Sequence, residues 1–185
     1  MSTLGFALLG LLARRPATGY ELALQLRRPV GYFWHARHSQ IYPTLADLEF
    51  EDLVTHEVID GPGPRPTKRY RVTRTGRAAV RRWLRSTTPE VDEGEILVRV
   101  YLVWLLPPRD AVAMLSAIKQ HHERSLQRYL DTTGLRAPDP APSPRDPLFG
   151  DRATLEWGIE FERGRIAWIE RTINDISAGE SRRPG

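Results

Sequence analysis

Residues 38–73 read HSQIYPTLADLEFEDLVTHEVIDGPGPRPTKRYRVT, and the fold turns on how they divide. Ile41, Leu45 and Leu48 recur at helical spacing, so a helix begins near Ser39 with these three facing a core. Ser39, Gln40, Tyr42, Pro43 and Thr44 then lie around the exposed side of its first turns. Pro43 lacks an N–H and fits only a first turn. Two strands follow, Leu53–Ile59 and Lys68–Thr73. Val54, His56 and Val58 alternate on the first, Tyr70 and Val72 on the second. Asp52 stands between helix and strand, where a left-handed residue is favoured and Asp tolerates it. The segment GPGPRPT at 61–67 is too long and proline-rich for a tight hairpin turn. It is expected to project as a stiff loop, with Arg65 near its tip and Lys68 and Arg69 at its base. Helix, strand, basic loop, strand is the order of a winged helix.

The flanking residues fit that order. Ser2 can cap a helix whose Leu4, Leu8, Leu11 and Leu12 share a face, with Pro16 ending it. Thr18 and Glu21 form a capping box, so a second helix starts there with Leu22 and Leu26 inward. Arg27, Arg28 and Pro29 end it, and Gly31–Trp34 reads as an aromatic connector. Thr73 or Thr75 opens a fourth helix through Arg85. The charge balance changes sign near residue 88, where the domain boundary is placed. Residues 1–88 carry 14 Lys and Arg against 7 Asp and Glu; residues 89–185 carry 13 against 16. A basic half joined to an acidic half suggests a polyanion-binding module with a separate partner module.

Residues 89–185 read as helical. An apolar segment, Glu93–Leu106, is broken by Pro107 and Pro108, and Asp110 opens a long amphipathic helix ending at Gly134. Ala137–Pro147 is a proline-rich connector. A last helix runs from about Asp151 to Ile176. Leu155, Ile159, Ile166, Ile169, Ile173 and Ile176 form an a/d seam on it, interrupted by Glu162. Trp157, Phe161 and Trp168 form a second stripe, roughly opposite. One small domain cannot easily cover both faces of a helix ~39 Å long. These eight apolar residues, Ile176 aside, are therefore the dimerisation candidates, and a homodimer is expected. The fold class is mainly α with a small β-wing, an N-terminal winged helix-turn-helix at 1–88 and a C-terminal helical dimerisation domain at 89–185.

Composition narrows the function. With 41% hydrophobic residues and five Trp among 185, global disorder is excluded. The absence of Cys removes disulfides, thiolate metal sites and cysteine nucleophiles. The five His form no metal-binding spacing, and no nucleophile elbow, phosphate-cradling loop or carboxylate pair is found. No enzyme activity, metal or cofactor is expected. The most apolar run, Ile96–Leu106, contains Arg99 and falls short of the ~20 residues of a membrane span. The first residues lack a basic segment before their apolar run. A soluble, cytoplasmic protein is expected.

The ordered series Gly19-Tyr20-Glu21-Leu22, Phe33-Trp34, Gln40-Ile41-Tyr42-Pro43-Thr44-Leu45, Leu48-Glu49, Leu53-Val54, Lys68-Arg69-Tyr70 and Val72-Thr73-Arg74-Thr75-Gly76 resembles the PadR family of bacterial transcriptional regulators. The second half is similar to the helical dimerisation domain of its longer, virulence-regulator-like members. The family usually has Gly at the position of Asp52. The resemblance implies a homodimeric repressor that reads an inverted-repeat operator in double-stranded DNA. Tyr20, Ser39, Gln40, Tyr42, Pro43, Thr44, Arg65, Lys68 and Arg69 are then the DNA-binding candidates. Gln40 can bond adenine in bidentate fashion, and Lys68 and Tyr20 suit phosphates. Some family members bind flat aromatic compounds, which makes Trp104, Trp157 and Trp168 candidates for lining an effector pocket. The competing reading is a winged-helix protein–protein adaptor, in which the basic wing is incidental.

Overall fold

A computed structural model describes residues 1–26, 38–60, 66–86, 93–133 and 143–181. It divides into two compact units, Met1–Pro107 and Pro108–Gly185.

The first unit is built around α1 (Thr3–Arg14). The Ser2 hydroxyl accepts the Gly5 N–H at 3.2 Å and starts the helix. Nine of its twelve residues are buried, so it is surrounded rather than docked by one face. Each fully buried Leu contributes about 1.5–3 kcal/mol, and Leu8, Leu9, Leu11 and Leu12 are all essentially inaccessible. β1 (Ala17–Thr18) follows, too short to carry an alternation that sequence reading can detect. α2 (Gly19–Leu26) begins with the expected capping box. The Thr18 N–H donates to Glu21 Oε2 at 2.7 Å, and the Glu21 N–H donates to Thr18 Oγ1 at 3.2 Å. Arg27–Pro29 and the aromatic connector Gly31–Trp34 lie outside the described residues.

A 3₁₀ turn, His38–Gln40, leads into α3 (Ile41–Phe50), which buries Ile41, Leu45 and Leu48 as its spacing requires. Asp52 takes φ 55°, a left-handed conformation. The Leu53 N–H then closes on the Leu48 carbonyl at 2.9 Å. β2 (Val54–Ile59) and β3 (Thr67–Val72) pair antiparallel, from Val54 opposite Val72 to Ile59 opposite Thr67. β1 adds to the other edge of β3, with Ala17 opposite Tyr70, giving the order β1-β3-β2. Thr73 caps α4 (Arg74–Arg85) by accepting the Gly76 N–H at 2.9 Å. Its hydroxyl hydrogen faces the carbonyls of Asp52 and Leu53 at 2.9 and 3.1 Å. A Cβ on Gly76 would stand 2.2 Å from the Leu53 carbonyl oxygen, so only glycine lets α4 start this close to the strand.

α5 (Glu93–Tyr101) and a 3₁₀ turn at Val103–Leu105 complete this unit. Packing therefore continues to Pro107, past the boundary at 88 set by the change of charge. The cause is Arg99, 2% exposed, which donates to the Trp83 carbonyl at 2.8 Å and to Glu95 through both Nε and Nη2. Its guanidinium also lies 4.4 Å from the Trp83 ring centroid, and Trp83 stacks on Phe6 of α1. Leu102 closes on α1 so tightly that a Cβ at Gly10 would meet it at 2.3 Å.

The second unit is an antiparallel pair, α6 (Pro108–Thr133) and α7 (Pro147–Ser181). Lys119 meets Glu170, His122 meets Glu162, and Gly158 faces the Tyr129 ring. α7 exceeds the expected 151–176 at both ends. Pro147 opens it rather than ending the connector, consistent with the preference of proline for a first helical turn. Residues 134–142 of the connector region lie outside the described residues. Glu162 does not break the seam. It is buried and accepts from His122 Nδ1 at 2.6 Å, a polar pair set among apolar neighbours. Among the described residues, no helix is long and apolar enough to cross a membrane.

Candidate nucleic-acid interface

The start of α2, the exposed side of α3 and the base of the hairpin meet along one open cleft. Tyr20, Tyr42, Lys68 and Arg69 line it together with Gly19, Thr67 and Tyr70. Tyr20 and Tyr42 are 68% and 53% exposed, although tyrosine rings usually cover themselves. Gly19 makes this possible. A Cβ there would stand 2.6 Å from the Tyr42 ring, so a side chain would displace Tyr42 from α2. Glu21 and Asp60 also line the cleft. The Thr18 N–H that Glu21 accepts holds its carboxyl below the usual range, so it stays charged and keeps α2 capped.

Ser39 and Gln40 are exposed in the turn before α3, and Tyr42 and Pro43 are exposed in its first turn. Gln40 makes no side-chain capping bond, so its amide is not spent on the helix end. Thr44 is different. Its hydroxyl donates to the Gln40 carbonyl at 2.7 Å, and a Cβ on Gly5 of α1 would lie 3.7 Å from its methyl. Its first role is local. Arg65 lies outside the described residues.

Sequence reasoning missed a charge relay behind the cleft. Glu49 of α3 takes His56 Nδ1 of β2 on one oxygen and Lys68 of β3, 3.5 Å away, on the other. The His56 hydrogen bond, more than Lys68, holds the Glu49 carboxyl below its ordinary value. Lys68 is thus aimed by a carboxylate beneath it while remaining half exposed. No spacing rule announces this trio, because the turn at Asp52 brings its members together.

The dimerisation and effector candidates divide by environment. Ile159 and Ile169 are buried, on the side of α7 that also carries Glu162 and Gly158 toward α6. That part of the seam packs within the chain, against α6. Leu155, Ile166 and Ile173 are half-buried. Trp157 is 68% exposed and stacks on Phe161 at 5.3 Å, with the Arg165 guanidinium 4.7 Å from the Phe161 centroid. Trp168 is half-buried. Trp104 is exposed, with the Arg14 guanidinium 5.5 Å from its ring centroid. Among the described residues, no group of His, Asp and Glu is arranged to hold a metal ion.

A helix with exposed polar residues, a basic hairpin and an N-terminal helix end converging on one cleft define a winged-helix DNA-binding protein. Residues 8–82 match the transcriptional regulator PadR-like family, and residues 94–177 match the virulence activator alpha C-terminal family. Residues 8–82 thus carry a PadR-like domain of transcriptional regulators, and the proteins it resembles are regulators rather than enzymes. It is 28% identical over 179 residues to the negative transcriptional regulator PadR of Bacillus subtilis, covering 94% of this chain and 97% of that one. Solved structures of the Bacillus protein include one with operator DNA and one with p-coumaric acid. Each is 27% identical and covers 95% of this chain and 99% of the other, with TM-scores of 0.46 and 0.42.

Proposed function

We propose that the protein is a homodimeric repressor that reads an inverted-repeat operator and is released from it by a small aromatic effector. The observation that carries the DNA reading is the single cleft in which Tyr20, Tyr42, Lys68 and Arg69 converge from α2, α3 and β3. Gln40 and Tyr42 read base edges in the major groove, while Lys68, Arg69 and Tyr20 take phosphates. Ser39, Pro43 and Thr44 shape the same surface, and Arg65 in the wing enters the adjoining minor groove. The Bacillus subtilis relative is a negative regulator, which favours repression.

A two-fold operator needs two reading heads. Trp157, exposed and stacked on the half-buried Phe161, supplies the uncovered apolar face on which a second α7 packs, since an indole left in water is costly. The half-sites then lie about one helical turn (~10 bp) apart, or a multiple of that. The effector acts by favouring a dimer in which the two α3 helices no longer match that spacing. Trp104, Trp157 and Trp168 are its proposed reporters. Titrating p-coumaric acid, and then other aromatic acids, against Trp fluorescence tests this point. A flat response throughout, with operator binding unchanged, removes the effector from the account.

A mobility shift on the DNA upstream of the protein's own coding region tests the core proposal. The shift is expected to weaken steeply with salt and, in the presence of excess unlabelled random duplex, to vanish in Gln40→Ala/Tyr42→Ala/Lys68→Ala. Equal binding by that variant would refute the assigned surface.

A further inference from the structure

α4 carries five arginines in twelve residues and no acid. At 100° per residue, Arg74, Arg81, Arg82 and Arg85 occupy one side, turned away from the buried Gly76, Val80 and Leu84, with Arg77 exposed at its edge beside Leu84. They flank Ala78 in a shallow groove. Arg74, Arg77, Arg81 and Arg82 are exposed and form no ion pair within the described residues. The cations of α6 and α7 behave differently. Lys119 pairs with Glu123 and Glu170, Arg152 with Glu156, and Arg163 with Glu160. A solvated helical face is ordinarily laced in that way.

Two features argue against a merely solvated arginine face. Arg77 and Arg81, and Arg81 and Arg85, stand four residues apart and repel one another. Arg74 and Arg77 also occupy the first turn, where the helix dipole disfavours a cation. The folded chain therefore concentrates positive charge at Arg74, Arg77, Arg81 and Arg82, which no ion pair within the described residues neutralises. Every one of these cations is Arg, whose planar fork matches phosphate oxygens in pairs. The stripe is ~16 Å long at the α-helical rise, long enough to follow consecutive phosphates of a duplex. It shares no residue with the Tyr20–Tyr42–Lys68 cleft. α4 also meets α1 on another side from α3. Gly5 of α1 faces Thr44 of α3, whereas its neighbour Phe6, about 100° round the helix, stacks on Trp83 of α4.

We propose that the outer face of α4 is a second DNA site, which binds the phosphate backbone of a duplex other than the one held in the cleft. It recognises no sequence. A regulator seated on its operator thereby captures another DNA segment, and two distant stretches are brought together. This rests on the proposed operator reading for its first duplex, but not for the chemistry of the α4 face itself.

The test uses the full-length protein on an immobilised duplex from upstream of its own coding region, with a labelled random-sequence duplex in solution. The wild type is expected to retain the labelled duplex, less so as salt rises. Arg77→Gln/Arg81→Gln/Arg82→Gln is expected to lose at least tenfold in that retention while changing affinity for the immobilised duplex less than threefold. Circular dichroism and a thermal midpoint no lower than that of the wild type establish that the variant is folded. The matching Arg→Lys variant keeps charge and is expected to recover most of the retention. Conversely, the free Gln40→Ala/Tyr42→Ala/Lys68→Ala protein is expected to keep binding random duplex through α4. Retention by the Gln variant equal to wild type would overturn the proposal. So would a parallel loss of both duplexes, which would make α4 part of the first site, or dependence on longer flanks of the immobilised duplex with no capture in trans. If the wild type shows no preference for its upstream DNA yet binds random duplex through α4, the operator reading fails and this one stands.

Discussion

The two units solve the problem of apolar burial in opposite ways. In Met1–Pro107, α1 is enclosed by helices and a sheet, while Tyr20, Leu24, Tyr42, Phe50, Val58 and Trp104 lie exposed outside that core. In Pro108–Gly185, the buried apolar residues are Ala111, Met114, Leu115, Ile118, Ile159 and Ile169, while Trp157, Leu148 and Phe149 are exposed. The first unit has an enclosed core around α1. The second is a helix pair that buries one side of α7 and leaves Trp157 on the other exposed. On the proposed reading, DNA recognition belongs to the first unit and partner binding to α7.

The sharpest break of this contrast is at Arg99. Arg99→Ala strips two α4 carbonyls of their donor and leaves Glu95 without its bidentate partner. Loss of about 3–5 kcal/mol is expected for breaking a buried pair, seen as a lower midpoint in chemical denaturation. A change below about 1 kcal/mol, the scale of a surface ion pair, would show that α5 is not pinned to the first unit. Next is Trp157→Ala/Phe161→Ala. Because aromatic anchors dominate interfaces, each truncation is expected to weaken the dimer by about 2 kcal/mol or more, with helicity retained. Sedimentation across a dilution series reads this, and an unmoved dissociation constant would hand the interface to another face.

Smaller effects sharpen the reading head. Gln40→Ala is expected to cost about 1–3 kcal/mol on operator DNA and little on random DNA. Lys68→Ala is expected to weaken both alike and lower the salt slope by about one. Titration of binding against salt separates the two. The smallest effect is with pH. The Glu49 and Glu21 carboxyls both sit below their ordinary value of 4.5 in the folded chain. Their stabilisation is therefore present above that value and is lost as pH falls through the folded values. Glu49→Gln is expected to flatten the loss of stability below pH 4.5, measured by denaturation midpoints across acid pH. An unchanged slope would mean that His56 and Lys68 do not hold it.

Much of the first unit was legible because its signals are local. Ser2, the Thr18–Glu21 box, the left-handed Asp52 and the Thr73 cap each act within a few residues, and each stands where the sequence placed it. The unreadable parts depend on residues distant in sequence. β1 is two residues that become a strand only when β3 arrives. The Glu49–His56–Lys68 relay and the reach of Arg99 to the end of α4 are likewise products of packing. On α7 the periodicity revealed two apolar stripes but not their partners. The polar interruption at Glu162 was the clue, since its match to His122 assigns that side to α6.

Footprinting on DNA upstream of the protein's own coding region, with wild type and Gln40→Ala/Tyr42→Ala/Lys68→Ala side by side, tests the central claim most directly. The account expects wild-type protection of two symmetry-related half-sites about 10 bp, or a multiple, apart, and none from the variant. Protection that survives in the variant, or a single unpaired half-site, would contradict it.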